Sequence, residues 1–95
     1  MNQVLLSAAI AEAKPLRYTP AGLPALDLQL EHESEVTEAG GKRQVKAAIR
    51  AVAFGPQAET LARQVIGSHW RFAGFLATPR NGKHSVLHIQ EFQPI

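Results

Sequence analysis

No cysteine occurs among the 95 residues of this sequence. The chain therefore cannot form disulfides or thiolate metal sites, a composition that is typical of a reducing compartment. Long hydrophobic runs are also missing, because the apolar run near the N-terminus, Val4 to Ala11, contains Ser7 and stops at Glu12. That run is too short to span a bilayer, and no basic leader precedes it. We expect a cytoplasmic protein with no membrane partner.

The sequence also lacks the motifs of catalysis and metal binding. None of its serines lies in a nucleophile motif, and Gly40-Gly41-Lys42 lacks the spacing of a phosphate-binding loop. His84 and His88 would share one face of a strand, but their spacing separates them by roughly 13 Å. We therefore expect no enzyme: no catalytic residue, no metal site, no cofactor and no small-molecule substrate.

Charge is unevenly distributed along the chain, although its net value is only +2. The acidic residues concentrate in one segment, whereas the basic residues occupy several others. Separate basic segments of this kind are a partial indication of nucleic-acid binding. The acidic cluster is Glu31, Glu33, Glu35 and Glu38, and the cations include Lys14, Arg17, Lys42, Arg43, Lys46, Arg50, Arg71, Arg80 and Lys83.

Apolar and polar residues alternate with period two in several segments, which predicts five strands. The clearest is Ala25 to Glu33, where Leu26, Leu28 and Leu30 face one way. His32 ends that apolar row, and we expect it to be a hydrogen-bonded histidine at the strand edge. The predicted strands are Met1–Ala13, Ala25–Glu33, Lys42–Phe54, His69–Ala77 and Ser85–Phe92.

The connections between these strands contain one helix and several loops. Pro15 to Pro24 is rich in proline and is expected to be a loop. We interpret Ser34 to Gly41 as an open loop and Asn81-Gly82 as a tight hairpin turn. Pro56 to Val65 predicts the helix, because its apolar residues recur with helical spacing. That apolar stripe consists of Ala58, Leu61, Ala62 and Val65.

This order of elements predicts a single all-β domain over residues 1–95. Five strands with a short helix between the third and the fourth match the OB-fold, a five-stranded Greek-key barrel. An SH3-like barrel is the alternative, but it would not place its helix at that point.

The third predicted strand, Lys42–Phe54, has one apolar face and one cationic face. OB-fold barrels bind single-stranded nucleic acid across strands two and three, between the first and the last of their long loops. Such a groove needs cations along the phosphates and flat rings for the bases. We therefore predict phosphate neutralisation by the cations and stacking by Tyr18, although a merely solvated strand face is the alternative. The predicted DNA-binding residues are Arg17, Tyr18, Lys42, Lys46, Arg50, Arg80 and Lys83.

The first predicted strand has an outer face with few polar residues. Leu5, Ser7 and Ala9 lie on that face, opposite the expected core face. An apolar outer face needs cover, and in so small a protein we expect a second copy to provide it. The sequence therefore predicts a homodimer whose interface includes Leu5, Ser7 and Ala9.

Short matches spread from Val4 to Phe92 resemble one family. They are LLS at Leu5 to Ser7, PLR at Pro15 to Arg17, LEH at Leu30 to His32, EAG at Glu38 to Gly40, RQ at Arg43-Gln44, GS at Gly67-Ser68, GF at Gly74-Phe75, NG at Asn81-Gly82 and VLH at Val86 to His88. In this order and spacing the chain resembles primosomal replication protein N, the PriB family, which is related to bacterial single-stranded DNA-binding proteins. The resemblance implies a homodimer of OB-folds that binds single-stranded DNA in replication restart. It also implies the primosomal helicase and the loader as protein partners.

By position, the resemblance implies DNA contacts for Tyr18, Lys46, Arg80 and Lys83. Glu33 departs from the family pattern, which can have a cation there, and its charge would repel phosphate. The alternative function is a protein-interaction module of the primosome with weak or secondary DNA binding. In that alternative, the first strand and the acidic loop would be the docking surfaces.

Overall fold

The computed structural model describes every residue from Met1 to Ile95. The five predicted strands correspond to five long strands, and a further strand of two residues lies in a segment predicted as a loop. The one helix falls well short of the length that a membrane crossing needs. In chain order the elements are β1 Val4–Ala13, β2 Arg17–Tyr18, β3 Pro24–Glu38, β4 Gly41–Phe54, α1 Pro56–Ala62, β5 His69–Ala77 and β6 Val86–Pro94.

The five long strands close into a barrel. Their order is β1-β5-β6-β4-β3, and β3 pairs again with β1. Neighbouring strands are antiparallel except for β4 and β6, which run parallel. The predicted OB-fold, with its helix between the third and fourth long strands, is confirmed.

Period-two alternation along the strands builds the core of the barrel. Leu26, Leu28 and Leu30 of β3 are buried, as their spacing predicted. They belong to one hydrophobic cluster with Phe72 of β5 and Leu87 of β6. Burial of each large side chain contributes about 2 kcal/mol, so this cluster is a principal source of stability.

The helix α1 packs against β3, β4 and β6 but is shorter than predicted. Ala58 and Leu61 of the predicted stripe are buried. The helix ends at Ala62, which is exposed, and Val65 beyond it is 75% exposed, so this half of the stripe was wrong. The segment after the helix explains this difference. The Gly67 N–H donates to the Ile10 carbonyl of β1, so the chain must turn towards β1 before the predicted end of the helix.

The prediction of an open loop over residues 34–41 is wrong. The pairing of β3 with β4 continues without interruption as far as Glu38 with Gly41. Only Ala39 and Gly40 join the two strands, with φ angles of 53° and 82°. Positive φ at both central residues is typical of a type I′ turn, whose twist matches that of the flanking strands.

The outer part of this hairpin, residues 33–46, extends beyond the barrel, and we call it the arm. The pairing of β1 with β3 reaches only Glu31, and that of β6 with β4 covers only Ala51 to Ala53. The arm residues therefore pair with each other alone. Most of their side chains are exposed, so no alternation of buried and exposed residues marks them as strands.

The loop between β5 and β6 turns one residue earlier than predicted. The Gly82 N–H donates to the Pro79 carbonyl at 2.9 Å, so Arg80 and Asn81 are the central residues of the turn. Neither Asn81 nor Gly82 has the positive φ that a tight Asn-Gly hairpin turn requires. The loop as a whole covers residues 78–85, and Arg80 lies at the tip of its turn.

Gly74 is the one glycine at which an added Cβ atom would overlap backbone atoms. A Cβ atom there would overlap the carbonyl of His88, where the register between β5 and β6 shifts. Gly74→Ala is therefore expected to lower the free energy of unfolding by about 2–3 kcal/mol, as measured by urea denaturation. Gly41→Ala is the control, because its Cβ would meet only an ordinary contact at 3.9 Å. Equal losses in the two variants would contradict the prediction.

Candidate nucleic-acid interface

The outer wall of β3 and β4 forms the floor of a groove. Cross-strand pairing places Gln29 beside Arg50, and Asp27 beside Val52. A cavity of about 440 Å³ opens at this wall. No part of the chain brings together three histidine or carboxylate side chains that could hold a metal ion. The residues that line the cavity are Glu12, Lys14, Asp27, Leu28, Gln29, Arg50, Ala51 and Val86.

Arg17 extends from β2 to Asp27 on β3. Its Nε donates to Asp27 Oδ2 at 2.7 Å, and its Nη2 donates to Oδ1 at 3.2 Å. These hydrogen bonds are the main reason that the pKa of Arg17 is raised and the pKa of Asp27 is lowered. Arg17 therefore holds β2 against β3, and a carboxylate already neutralises its charge.

The Asp27 carboxylate makes stability depend on pH. Its pKa in the folded chain lies below 3.8, so its stabilising contribution is complete above pH 3.8 and is lost as pH falls through the lowered pKa. We expect Asp27→Asn to lose less stability than the unmodified chain as pH falls below about 3.8, as measured by urea denaturation. Gln57→Asn, on the helix, is the control because it changes no titratable group and should leave the pH dependence unchanged. An Asp27→Asn variant with the full acid-induced loss would contradict the prediction.

The cations of the arm have carboxylates beside them. Lys46 Nζ lies 3.8 Å from Glu33 Oε1, and Lys42 Nζ lies 3.8 Å from Glu35 Oε1. All four side chains are well exposed, so each pair contributes only about 0–1 kcal/mol. The cationic face predicted for this strand is present, but a phosphate group would have to compete with glutamate for each lysine of the arm.

Arg50, Arg80 and Lys83 make no ion pair within the chain. Arg50 lines the groove, and the loop that carries Arg80 and Lys83 leads into β6 at Val86, which lines the same cavity. Of the predicted residues, Arg50 lines the cavity and Arg17 is bonded to Asp27, which also lines it, whereas Arg80 and Lys83 lie on the adjacent loop and do not line it. The predicted arm residues lie farther along the hairpin and do not line this cavity.

Aromatic side chains lie on the same outer wall. The rings of Phe75 and His88 stack with centroids 4.8 Å apart and planes at 17°, and Phe54 lies 5.9 Å from His88. Val52 lies on the same face of β4 as Arg50, yet it is only 6% exposed beside this row, so this end of the face is covered and not solvated. Phe54 remains 37% exposed, and the predicted stacking residue Tyr18 is 64% exposed on β2.

The first half of β1 has a free edge. Val4 to Ala9 pair with β5, but pairing with β3 begins only at Ala9. On the free edge, the Ser7 carbonyl accepts a hydrogen bond from Nδ1 of His32 at 2.6 Å. The other ring nitrogen of His32 is also hydrogen-bonded, which confirms the expected role of this histidine. Leu5 on this strand is 69% exposed.

Sequence reasoning missed the acidic partners of the predicted cations. A signal for one of them was present: with a turn at Ala39-Gly40, antiparallel pairing places Glu33 opposite Lys46. No comparable signal marked the pair of Arg17 with Asp27. That pair depends on the two-residue strand β2, which is too short to show alternation.

The chain matches a family model described as another single-strand binding protein family, over residues 2–91. Several of its curated relatives are named Replication restart protein PriB, and two of them serve as examples. The one from Bordetella pertussis is 48% identical over 100% of this chain and 90% of the relative. The one from Neisseria gonorrhoeae is 50% identical over 99% of this chain and 91% of the relative.

Solved structures show the same fold. The PriB protein from Ralstonia solanacearum superposes with a TM-score of 0.89 and 35% identity, covering 99% of this chain and 97% of that one. The wild-type single-stranded DNA binding protein from Thermus aquaticus superposes with a TM-score of 0.79 and 26% identity, covering 100% of this chain and 50% of that one. The chain therefore belongs to the PriB family of replication restart proteins, within the single-strand binding proteins.

Proposed function

We propose that this protein binds single-stranded DNA, largely independently of sequence, and acts in replication restart in the cytoplasm. It is a binding protein and not an enzyme, and its protein partners are the primosomal helicase, which it stimulates, and the loader. The observation that carries this proposal is the groove on β3 and β4, where Arg50 has no carboxylate partner. The names of its relatives, replication restart proteins and a single-stranded DNA binding protein, support the same function.

In this function the groove would hold the DNA backbone. Arg50, Arg80 and Lys83 would neutralise phosphates, because they are exposed and unpaired. Tyr18 and Phe54 offer exposed rings on which bases could stack. Few rings and several free cations favour binding that depends mainly on phosphate contacts.

A second copy of the chain would cover the free edge of β1. Apart from the Ser7 carbonyl, which is bonded to His32, this edge presents unpaired N–H and carbonyl groups. Antiparallel pairing with the same edge of another copy, related by a two-fold axis, would satisfy these groups in both copies. Leu5, the exposed apolar residue of this strand, would be buried by that pairing, with Ser7 and Ala9 on the same face. The proposed assembly is a homodimer.

The DNA-binding function is tested by titrating a fluorescently labelled oligo-dT at several salt concentrations. The logarithm of the affinity should fall linearly with the logarithm of the salt concentration. Arg50→Ala and Arg80→Ala should each make the slope shallower by about 0.7, the contribution of one phosphate contact on a single strand. Lys46→Ala should change the slope less, because Glu33 already lies beside Lys46. Undetectable binding at low salt would refute the function.

The pairs on the arm favour a second candidate, a protein-interaction module of the primosome with secondary DNA binding. Glu33 and Glu35 reduce the charge that Lys46 and Lys42 offer to phosphates. In this case the arm and the edge of β1 would contact protein partners. The same titration separates the candidates, since the second predicts weak binding with a shallow salt slope.

A further inference from the structure

A β-bulge in β1 determines which way Glu12 points. Ile10 pairs with Leu30 and Glu12 pairs with Gln29, so two steps along β1 correspond to one step along β3. Regular alternation would have placed Glu12 on the core face with Ile10. The extra residue, Ala11, instead aims Glu12 at the outer wall, as bulges beside functional sites commonly do.

Backbone hydrogen bonds hold this bulge in place. The Ile10 N–H donates to the Ser68 carbonyl at 3.0 Å, and the Ile10 carbonyl accepts from the Gly67 N–H at 2.7 Å. Ile10 itself is 1% exposed in the core. The backbone of the bulge, and not the rotamer of one surface side chain, therefore determines that Glu12 points outward.

The bulge completes a row of three polar side chains across three neighbouring strands. Glu12 pairs with Gln29, and Gln29 pairs with Arg50. All three line the same cavity, and none makes a side-chain hydrogen bond or ion pair within the chain. The nearest other carboxylate in the cavity, that of Asp27, is already bonded to Arg17.

The row offers acceptors at one end and donors at the other. The Glu12 carboxylate only accepts, the Arg50 guanidinium only donates, and the Gln29 amide does both. Strands lie about 4.8 Å apart, so the backbones of Glu12 and Arg50 are separated by roughly 10 Å, with Gln29 between them. A planar base that lies across this row would have Glu12 at one of its edges and Arg50 at the other.

Among the four DNA bases, guanine matches this order of groups. Its O6 and N7 form the pair of acceptors that a guanidinium fork binds, and its N1–H and N2–H₂ form a pair of donors that a carboxylate accepts. Thymine has no such pair of donors, and adenine has no pair of adjacent acceptors for the fork. Cytosine has adjacent acceptors in O2 and N3, but it offers the carboxylate only its N4 amino group and no second donor beside it. We propose that Glu12, Gln29 and Arg50 form a base-reading subsite that prefers guanine within single-stranded DNA. This inference rests on the proposed DNA-binding function.

The test compares, at one salt concentration, the affinities of short oligo-dT strands that carry a single guanine, adenine, cytosine or hypoxanthine at the centre, because strands with one substitution do not pair with each other. The guanine oligonucleotide should bind about five-fold more tightly than the adenine one, the lower range for a bidentate base contact. Hypoxanthine, which lacks the N2 amino group, should bind with intermediate affinity.

Two conservative variants test the assigned roles. Arg50→Lys keeps the charge but removes the fork, so it should reduce the preference for guanine to within about two-fold. Glu12→Gln should also reduce the preference, yet it should strengthen binding to oligo-dT because it removes a negative charge. Arg71→Lys, an exposed site on β5 outside the groove, is the control and should leave the preference unchanged.

The outcomes separate this inference from the function on which it rests. Equal binding of all four oligonucleotides, with a normal salt slope for oligo-dT, would overturn the inference and leave the proposed function intact. A preference for guanine that survives in both Arg50→Lys and Glu12→Gln would also overturn it. Absence of salt-dependent binding to oligo-dT would overturn the function itself.

Discussion

Leu5→Glu should convert the proposed homodimer into monomers. In a two-fold interface along β1 the substitution occurs in both copies, so two carboxylates would be buried near each other without partners. An unpaired buried charge costs several kcal/mol, which is enough to dissociate a small interface. Light scattering on a size-exclusion column measures the change as a halving of the molar mass.

Val65→Glu is the matched control for Leu5→Glu. It also places a carboxylate at an exposed apolar residue, but that residue follows helix α1 and lies off the edge of β1. This variant should keep the mass of the dimer. A Leu5→Glu chain that stays dimeric with a folded circular dichroism spectrum would exclude the β1 edge as the interface. An unmodified chain that is monomeric at every concentration would exclude the dimer.

Replacing Glu33 and Glu35 together by glutamine should strengthen binding to oligo-dT by roughly ten-fold at low salt. Each substitution removes the carboxylate beside one lysine of the arm and so frees Lys46 and Lys42 for phosphates. The slope of log affinity against log salt should steepen by about 1.4, because each phosphate contact on a single strand contributes about 0.7. Fluorescence anisotropy over a series of salt concentrations measures both changes.

Glu59→Gln combined with Glu91→Gln is the control for the arm, because it changes the net charge by the same amount. Neither of these glutamates makes an ion pair, and both lie away from the hairpin on α1 and β6. Equal gains in the two double variants would mean that net charge alone acts. No gain in the arm variant would mean that DNA does not reach the arm.

The barrel could be predicted from the sequence because its strands are half-buried. Leu26, Leu28 and Leu30 of β3 alternate with polar residues, and so do Leu87 and Ile89 of β6. This alternation shows which side of each strand faces the core. The arm could not be predicted in this way. Both faces of its strands meet water, and its residues are held by cross-strand pairing alone, which leaves no periodic signal.

Only part of the candidate site could be predicted from the sequence, for a related reason. The cations Arg50, Arg80 and Lys83 stand out in the sequence, and the OB order brings their segments together. What surrounds each cation depends on register, and register depends on turns and bulges. For example, a two-residue turn places Glu33 beside Lys46. The positions of such turns and bulges cannot be predicted from the alternation of apolar and polar residues.

The short parallel pairing between β4 and β6, which we call the seam, has a consequence for how the barrel folds. It consists of three cross-strand pairs, Ala51 with Leu87 through Ala53 with Ile89, whose partners lie far apart in the chain. The β3–β4 hairpin, by contrast, joins neighbouring segments through one tight turn. Because closing a long loop costs more chain entropy, the hairpin can form early, whereas the seam must wait until β5 and β6 are in place. Until the seam closes, the edge of β4 stays open to pairing with other chains, and this is the stage at which the protein is most prone to aggregate.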